Sequence, residues 1–324
     1  MSMEAPPSIA ADETVSMSGN AALFGSKTTP MAYVVLAVGV LCLSGSALFV
    51  KLAGVPGPVS AFYRFLISAL VLIPWWLRSG SDRPTGSRLR FTLAGGLFLA
   101  LDLFLWNTSI MLTSASTATL LGNNAPIWVG LGAWLVFKER LSGRYWFGLA
   151  VALAGMVFVV GVEEWKSAAH GRGDLLAVAA GFFYGTYLLT TQRARSDIDT
   201  LTFMSFSVAA GAVFLLVLNL ALGLPLTGYS PRSWAYLLAL ALVSHLGGWL
   251  AVNYALGHLK ASMVSVSLLA QVVITVILAF PLLGEVLSVR QITGGGLVLA
   301  GIYLVNSRRL PRDCGLKHPD AKQH

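Results

Sequence analysis

Charge is scarce in this sequence. Asp, Glu, Lys and Arg make up 11% of its 324 residues, whereas soluble domains carry about 25%. A chain so poor in charge cannot cover a surface that faces water, so most of its surface must face lipid. Acidic residues are the scarcer sign, 14 against 22 Lys and Arg, for a net charge of +8. The basic residues stand in short groups between apolar runs rather than along a groove. That pattern belongs to membrane topology and argues against nucleic acid as a partner. Cysteine is almost missing. Cys42 lies in an apolar run and Cys314 in the polar C-terminal tail, which excludes a disulfide framework and a cysteine metal cluster.

Motifs for hard chemistry are missing too. No G-x-x-x-x-G-K-[ST] occurs, so no ATP motor is encoded, and no H-E-x-x-H occurs. His170, His245, His258, His318 and His324 do not cluster with zinc spacing. Asp102 and His245 could be imagined in a Ser/His/Asp hydrolase, but no nucleophile elbow accompanies them. The sequence calls for no cofactor and no metal. The first thirty residues are polar, with Glu4, Asp12 and Glu13, and lack the basic start of a secretory signal. They read as a disordered cytoplasmic tail over 1–30.

What is present is apolar sequence. Hydrophobic residues make up 56% of the chain and the mean hydropathy is +0.74. A crossing helix needs about 20 apolar residues. Ten segments qualify as expected spans: 31–50, 58–77, 91–112, 115–137, 144–162, 174–192, 200–222, 233–257, 261–283 and 288–306. Connections such as 112–116 and 258–262 leave no room for a soluble module. The fold class predicted is an all-α membrane protein of ten transmembrane helices.

The chain also repeats itself. Moved by 146 positions, "KERLSGRYWFGLAVALAG" (138–155) falls on "GEVLSVRQITGGGLVLAG" (284–301) without a gap. Glu139, Ser142, Arg144, Gly148 and Gly155 then meet Glu285, Ser288, Arg290, Gly294 and Gly301. With the N-terminus in the cytoplasm, the inside segments hold 16 of the 22 Lys and Arg residues and the outside loops 5, with Arg64 inside a span. This bias puts both termini inside. Five spans per repeat is an odd number, so the second copy enters the membrane upside down, and its loop keeps only Arg290 where the first holds Lys138, Arg140 and Arg144. The expected organisation is a first repeat over 31–162, an inverted second repeat over 174–306 and a basic cytoplasmic tail over 307–324. Inverted repeats are a signature of alternating-access carriers.

The residues that carry the repeat also carry a family likeness. "SASTATLLGNNAPIWVGLGAWLVFKERLS" (114–142) and "KASMVSVSLLAQVVITVILAFPLLGEVLS" (260–288), each followed by two spaced glycines, resemble the EamA repeat of the drug/metabolite transporter superfamily. "YRF" at 63–65 resembles that family's second helix. The resemblance spans roughly 31–306 and occurs twice. It implies ten helices, a central substrate cavity and export of small metabolites. The family motif usually has a proline in spans four and nine. Pro126 fits, but Val272 stands at its repeat position.

An ionisable side chain inside hydrocarbon is costly and so marks a candidate site. Asp102 lies roughly 16 Å into span three, near the midplane, and His245 at similar depth in span eight. Each is followed four residues on, and so on the same helix face, by a tryptophan: Trp106 and Trp249. The functional reading is a cavity with a titratable group and an aromatic wall on each side; the structural alternative is interhelical bonding and packing. Asn124 in span four and Gln271 in span nine offer amides suited to a polar or zwitterionic solute. Pro126 bends span four and frees carbonyls. Arg64 is a gate or anion-attracting candidate, and Tyr184, Tyr187, Ser44 and Ser46 are secondary cavity candidates. Glu139 and Glu285 are expected to favour the N-termini of spans five and ten. The paired glycines allow close helix packing and, with it, a homodimer.

The sequence thus leads to a secondary-active carrier of the inner membrane that exports small metabolites such as amino acids by alternating access. Its expected partners are the lipid bilayer, a small-molecule substrate and, as the candidate coupling ion, protons. The alternatives it leaves are a drug or lipophilic-cation exporter and, from another class, an intramembrane enzyme or assembly factor.

Overall fold

The computed structural model describes residues 28–113, 115–161, 171–283 and 288–307. The tails expected at 1–30 and 307–324 lie almost wholly outside the described residues, as does Glu285. All regular structure among the described residues is helical. In chain order the helices are α1 (Thr28–Ser44), α2 (Ser46–Ala53), α3 (Gly57–Ser79), α4 (Gly86–Leu112), α5 (Ala115–Gly122), α6 (Ala125–Leu135), α7 (Gly143–Val160), α8 (Arg172–Arg195), α9 (Thr200–Ala221) and α10 (Pro231–Ala239). A π-helical stretch (Leu240–Gly248) follows, then α11 (Trp249–Leu256), α12 (Ala261–Ser267), α13 (Ala270–Leu283) and α14 (Val289–Asn306).

Eight helical stretches are long and apolar enough to cross a membrane. Two of the ten expected spans fall short for visible reasons. Span four is divided into α5 and α6, parted at Asn123 and Asn124. Span ten, α14, has the length but dilutes its apolar run with Arg290, Gln291 and three consecutive glycines.

The break in span four has a local cause. Pro126 sits in the first turn of α6, where a missing N–H costs nothing, so it starts a new helix instead of bending a continuous one. Span nine breaks at the equivalent place without a proline. α12 stops at Ser267 and α13 begins at Ala270, and the joint is bridged by short-range bonds from Leu269 N–H to Val266 O and from Gln271 N–H to Leu268 O. The repeat therefore keeps the break while changing the residue that enforces it.

The repeated "LS" acts as a start signal. Ser142 accepts the N–H of Tyr145 to cap α7. Ser288 caps α14 in the same way, and the Gln291 side chain returns to the Ser288 N–H to close a capping box. Glu139 lies four residues before α7, near its N-terminus as expected, and pairs with Lys260 at the start of α12.

In the bundle α7 runs along α14, α8 along α4, and α9 against both α3 and α4, while α1 packs on the π-helical stretch and on α11. The largest apolar cluster, built around Phe65, Leu72, Leu99, Phe203, Met204 and Val252, fills the space between α1, α3, α4, α8, α9 and α11, and a second, around Leu149, Ala152, Met156 and Val298, lies between α7 and α14.

Candidate functional site

A cavity lies where α1, α2, α3, α4, α5, α8, α11 and α13 meet. Eight of the twelve residues singled out from the sequence line it: Ser44, Ser46, Arg64, Asp102, Trp106, Tyr184, Trp249 and Gln271. Asp102 and Arg64 are 6% and 1% exposed. No ion pair within 4.0 Å joins them, although each lies in the other's electrostatic field. Three donors of the lining, Arg64 Nη1, Trp249 Nε1 and Ser46 Oγ, are buried and have no hydrogen-bond partner among the described residues. Unpaired donors in a lipid-shielded interior are costly. A cavity edged with them and with a carboxylate suits a solute that brings both an acceptor and a cation.

The apolar walls are aromatic. Tyr184 and Tyr187 both stand edge-on to Trp249, with centroids 5.6 Å and 5.0 Å away. Trp106 lies against Gly122, where a Cβ would meet its ring at 3.0 Å, so the glycine is what admits the indole beside α5. Gln271 Nε2 donates to Asn123 Oδ1 at 2.9 Å, joining α13 to the break between α5 and α6. Thr275 reaches across to the Ser44 carbonyl at 2.7 Å, close to the gap between α1 and α2.

The other four lie elsewhere. Asn124 is spent on the helix joint: its amide donates to Leu121 O and Val178 O and accepts from Trp128 Nε1. Its neighbour Asn123 lines the cavity instead. Pro126 opens α6, and its carbonyl accepts the Tyr145 hydroxyl at 3.2 Å. Tyr187 stands behind Trp249 and is bonded to Asn253 at 2.9 Å. His245, fully buried, lies behind Arg64 rather than in the cavity, and its Nδ1 accepts from Arg64 Nε at 3.2 Å. α-Helical spacing would put His245 and Trp249 on one face. The π-helical stretch has a wider turn, so Trp249 reaches the cavity while His245 meets α3. Thr119 and Thr275, which the sequence reading passed over, also line the cavity. Their signal was available: Thr119–Asn123 and Gln271–Thr275 are both polar pairs spaced by four in otherwise apolar spans.

A lipid-exposed helical bundle that shields a polar cavity is the architecture of a multi-pass membrane transporter. The chain belongs to the EamA-like transporter family, whose model matches it twice, at residues 30–161 and 171–307. A transporter of Archaeoglobus fulgidus described as uncharacterized is 29% identical over 86% of this chain and 98% of its own length. A Streptantibioticus cattleyicolor protein named "Probable terminal-alkyne amino-acid exporter" is 29% identical over 72% of this chain and 78% of its own length. A solved crystal structure superposes with a TM-score of 0.71 at 20% identity, covering 85% of this chain and 97% of that one, which supports the fold. Family membership makes the protein a transporter rather than an enzyme.

Proposed function

We propose that this transporter is a secondary-active exporter of small zwitterionic metabolites of the amino-acid type, working by alternating access in the inner membrane. The carrying observation is the pairing of opposite charges without an ion pair: Asp102 and Arg64 line one cavity, yet neither neutralises the other directly. An ammonium group of the cargo faces Asp102 and its carboxylate faces Arg64, while Trp106, Tyr184 and Trp249 enclose the side chain. The buried guanidinium disfavours the rival reading of a lipophilic-cation exporter, because a cation alone would leave Arg64 unpaired.

We further propose ten crossings in two inverted repeats. Gly148 touches Gly301 and Gly155 touches Gly294, so the contacts run antiparallel. The shift of 146 turns Gly148 into Gly294 and Gly155 into Gly301, and each contact into the other. Arg144 donates to Ser307, and Arg290 lies against Gly161; the same shift exchanges this pair as well. Reciprocal contacts of this kind are what a two-fold axis produces. The charge bias supports cytoplasmic termini. Protons are the proposed coupling ion, with Asp102 as their binding group.

Proteoliposomes containing only this protein test the reading. Labelled L-phenylalanine and L-leucine should exchange across the membrane unchanged, and tetraphenylphosphonium should not. Transport of the lipophilic cation without transport of either amino acid would overturn it.

A further inference from the structure

The contact between His245 and Arg64 joins two buried groups of which only one lines the cavity. Arg64 is 1% exposed and His245 0%. An arginine Nε–H can only donate, so His245 Nδ1 must accept, and the ring is the neutral tautomer with its proton on Nε2. That ring has little freedom. Phe65 packs against it at 4.5 Å between centroids. The π-helical stretch that carries it is tied on both sides, by Ser68 Oγ to Ala241 O at 3.4 Å and by Ser244 Oγ to Cys42 O at 3.0 Å. A guanidinium is planar and rigid. Fixing its Nε therefore fixes where its Nη atoms point, and Nη1 is left buried without a partner beside the cavity.

We propose that His245 is a positioning residue, which holds the Arg64 guanidinium so that its free edge receives the carboxylate of the cargo. The inference rests on the zwitterion reading above. His245 contacts Arg64 and not the cargo, so its loss should affect only solutes that use Arg64.

The test compares transport of L-phenylalanine with that of L-phenylalaninamide, which keeps the ammonium and the ring but lacks the carboxylate. In His245→Phe the half-saturation concentration for L-phenylalanine should rise about 10-fold, equivalent to roughly 1.4 kcal/mol, with the maximal rate and the amide little changed. His245→Asn, whose Oδ1 can stand where Nδ1 stood, should restore the acid to within about 3-fold of the unmodified protein, roughly half that energy. If His245→Phe fails to fold, His245→Gln replaces it, because its amide reaches the Nε2 rather than the Nδ1 position. Equal losses for acid and amide, or no rescue by His245→Asn, would overturn the positioning role. Failure of the unmodified protein to distinguish acid from amide would overturn the zwitterion reading instead.

Discussion

The carbonyl oxygen of Gly148 occupies the place of a side chain on Gly301: a Cβ built there would stand 2.5 Å away, and 2.6 Å from the backbone nitrogen of Ala152. The neighbours are backbone atoms, which cannot swing aside. Gly301→Val should therefore lower stability by about 3 kcal/mol, the upper part of the usual overpacking range. Gly296 lies on the same helix with nothing within 4 Å of its missing Cβ. Gly296→Ala should be neutral or slightly stabilising. Thermal unfolding of both variants in detergent checks the contrast; equal behaviour would show that α7 and α14 do not meet along this seam.

Much of this arrangement was legible in the sequence because membrane crossing writes itself in hydropathy and loop charge, and duplication writes itself in matched residues. Arg64, Asp102, Trp106 and Trp249 stood out because charge and indole are rare and costly at such depth. What the sequence hid was geometry. Nothing local in "LALVSHLGG" announces a π-helical turn, so His245 was assigned to the cavity it does not reach. The choice between Asn123 and Asn124 likewise depended on one residue of helix phase at a break. Gly148, Gly155, Gly294 and Gly301 pack against one another within the protomer.

Asp199 gives a prediction about pH. It caps α9 by accepting the Thr202 N–H at 2.9 Å. Burial pushes its carboxyl up, but the Thr202 side chain and backbone and the nearby Arg195 charge outweigh this and hold it below the usual carboxylate range. Asp199→Ala should cost about 1 kcal/mol at neutral pH, the typical worth of an N-cap. A depressed folded value means that this stability is present above the ordinary aspartate pKa and disappears as pH falls through the folded one. The two proteins should thus converge in melting temperature only under strongly acidic conditions.

Topology can be read by single-cysteine labelling in intact cells. Arg83 lies between α3 and α4, and Gly228 between α9 and α10. The charge bias puts the first in the cytoplasm and the second outside. A membrane-impermeant maleimide should react with a cysteine at Gly228 and spare one at Arg83. The reverse pattern would invert the orientation, and reaction at both would break the odd-span argument.

Asp102 separates coupling from binding. Because Asp102 faces the ammonium group of the cargo as well as binding the proton, Asp102→Asn should lower both uptake driven by a pH gradient and exchange at equal pH by about 10-fold or more, equivalent to roughly 1.4 kcal/mol. If Asp102 serves the proton alone, exchange at equal pH should stay within about 2-fold while gradient-driven uptake falls. A folded variant that transports normally in both assays would leave Asp102 a packing residue.

The opposite end of the bundle carries the last prediction. The cavity is lined by the later part of α1 with α2, the early part of α3 and the later part of α4, so it lies toward the end where α2, α4 and α5 meet their loops. At the other end, the ion pair of Glu139 with Lys260 crosses between repeats, and within the second repeat Arg195 Nε donates to Asn253 O at 3.1 Å. The Gln192 side chain also accepts the Ala261 N–H, at 2.5 Å, binding α8 to α12. The repeat position of Lys260 is Ser114, which carries no charge, so this ion pair has no image at the cavity end. In an alternating cycle such a pair should hold the end it spans closed. Lys260 is half exposed, so its loss should cost stability less than about 1 kcal/mol. Its effect should appear in access instead. A cysteine at Thr119, in the cavity wall, should react faster with a cytoplasmic maleimide in Lys260→Gln than in the parent, and the charge-reversed double variant Glu139→Lys with Lys260→Glu should return it to the parental rate. Equal rates in all three would mean that the pair does not gate the cavity.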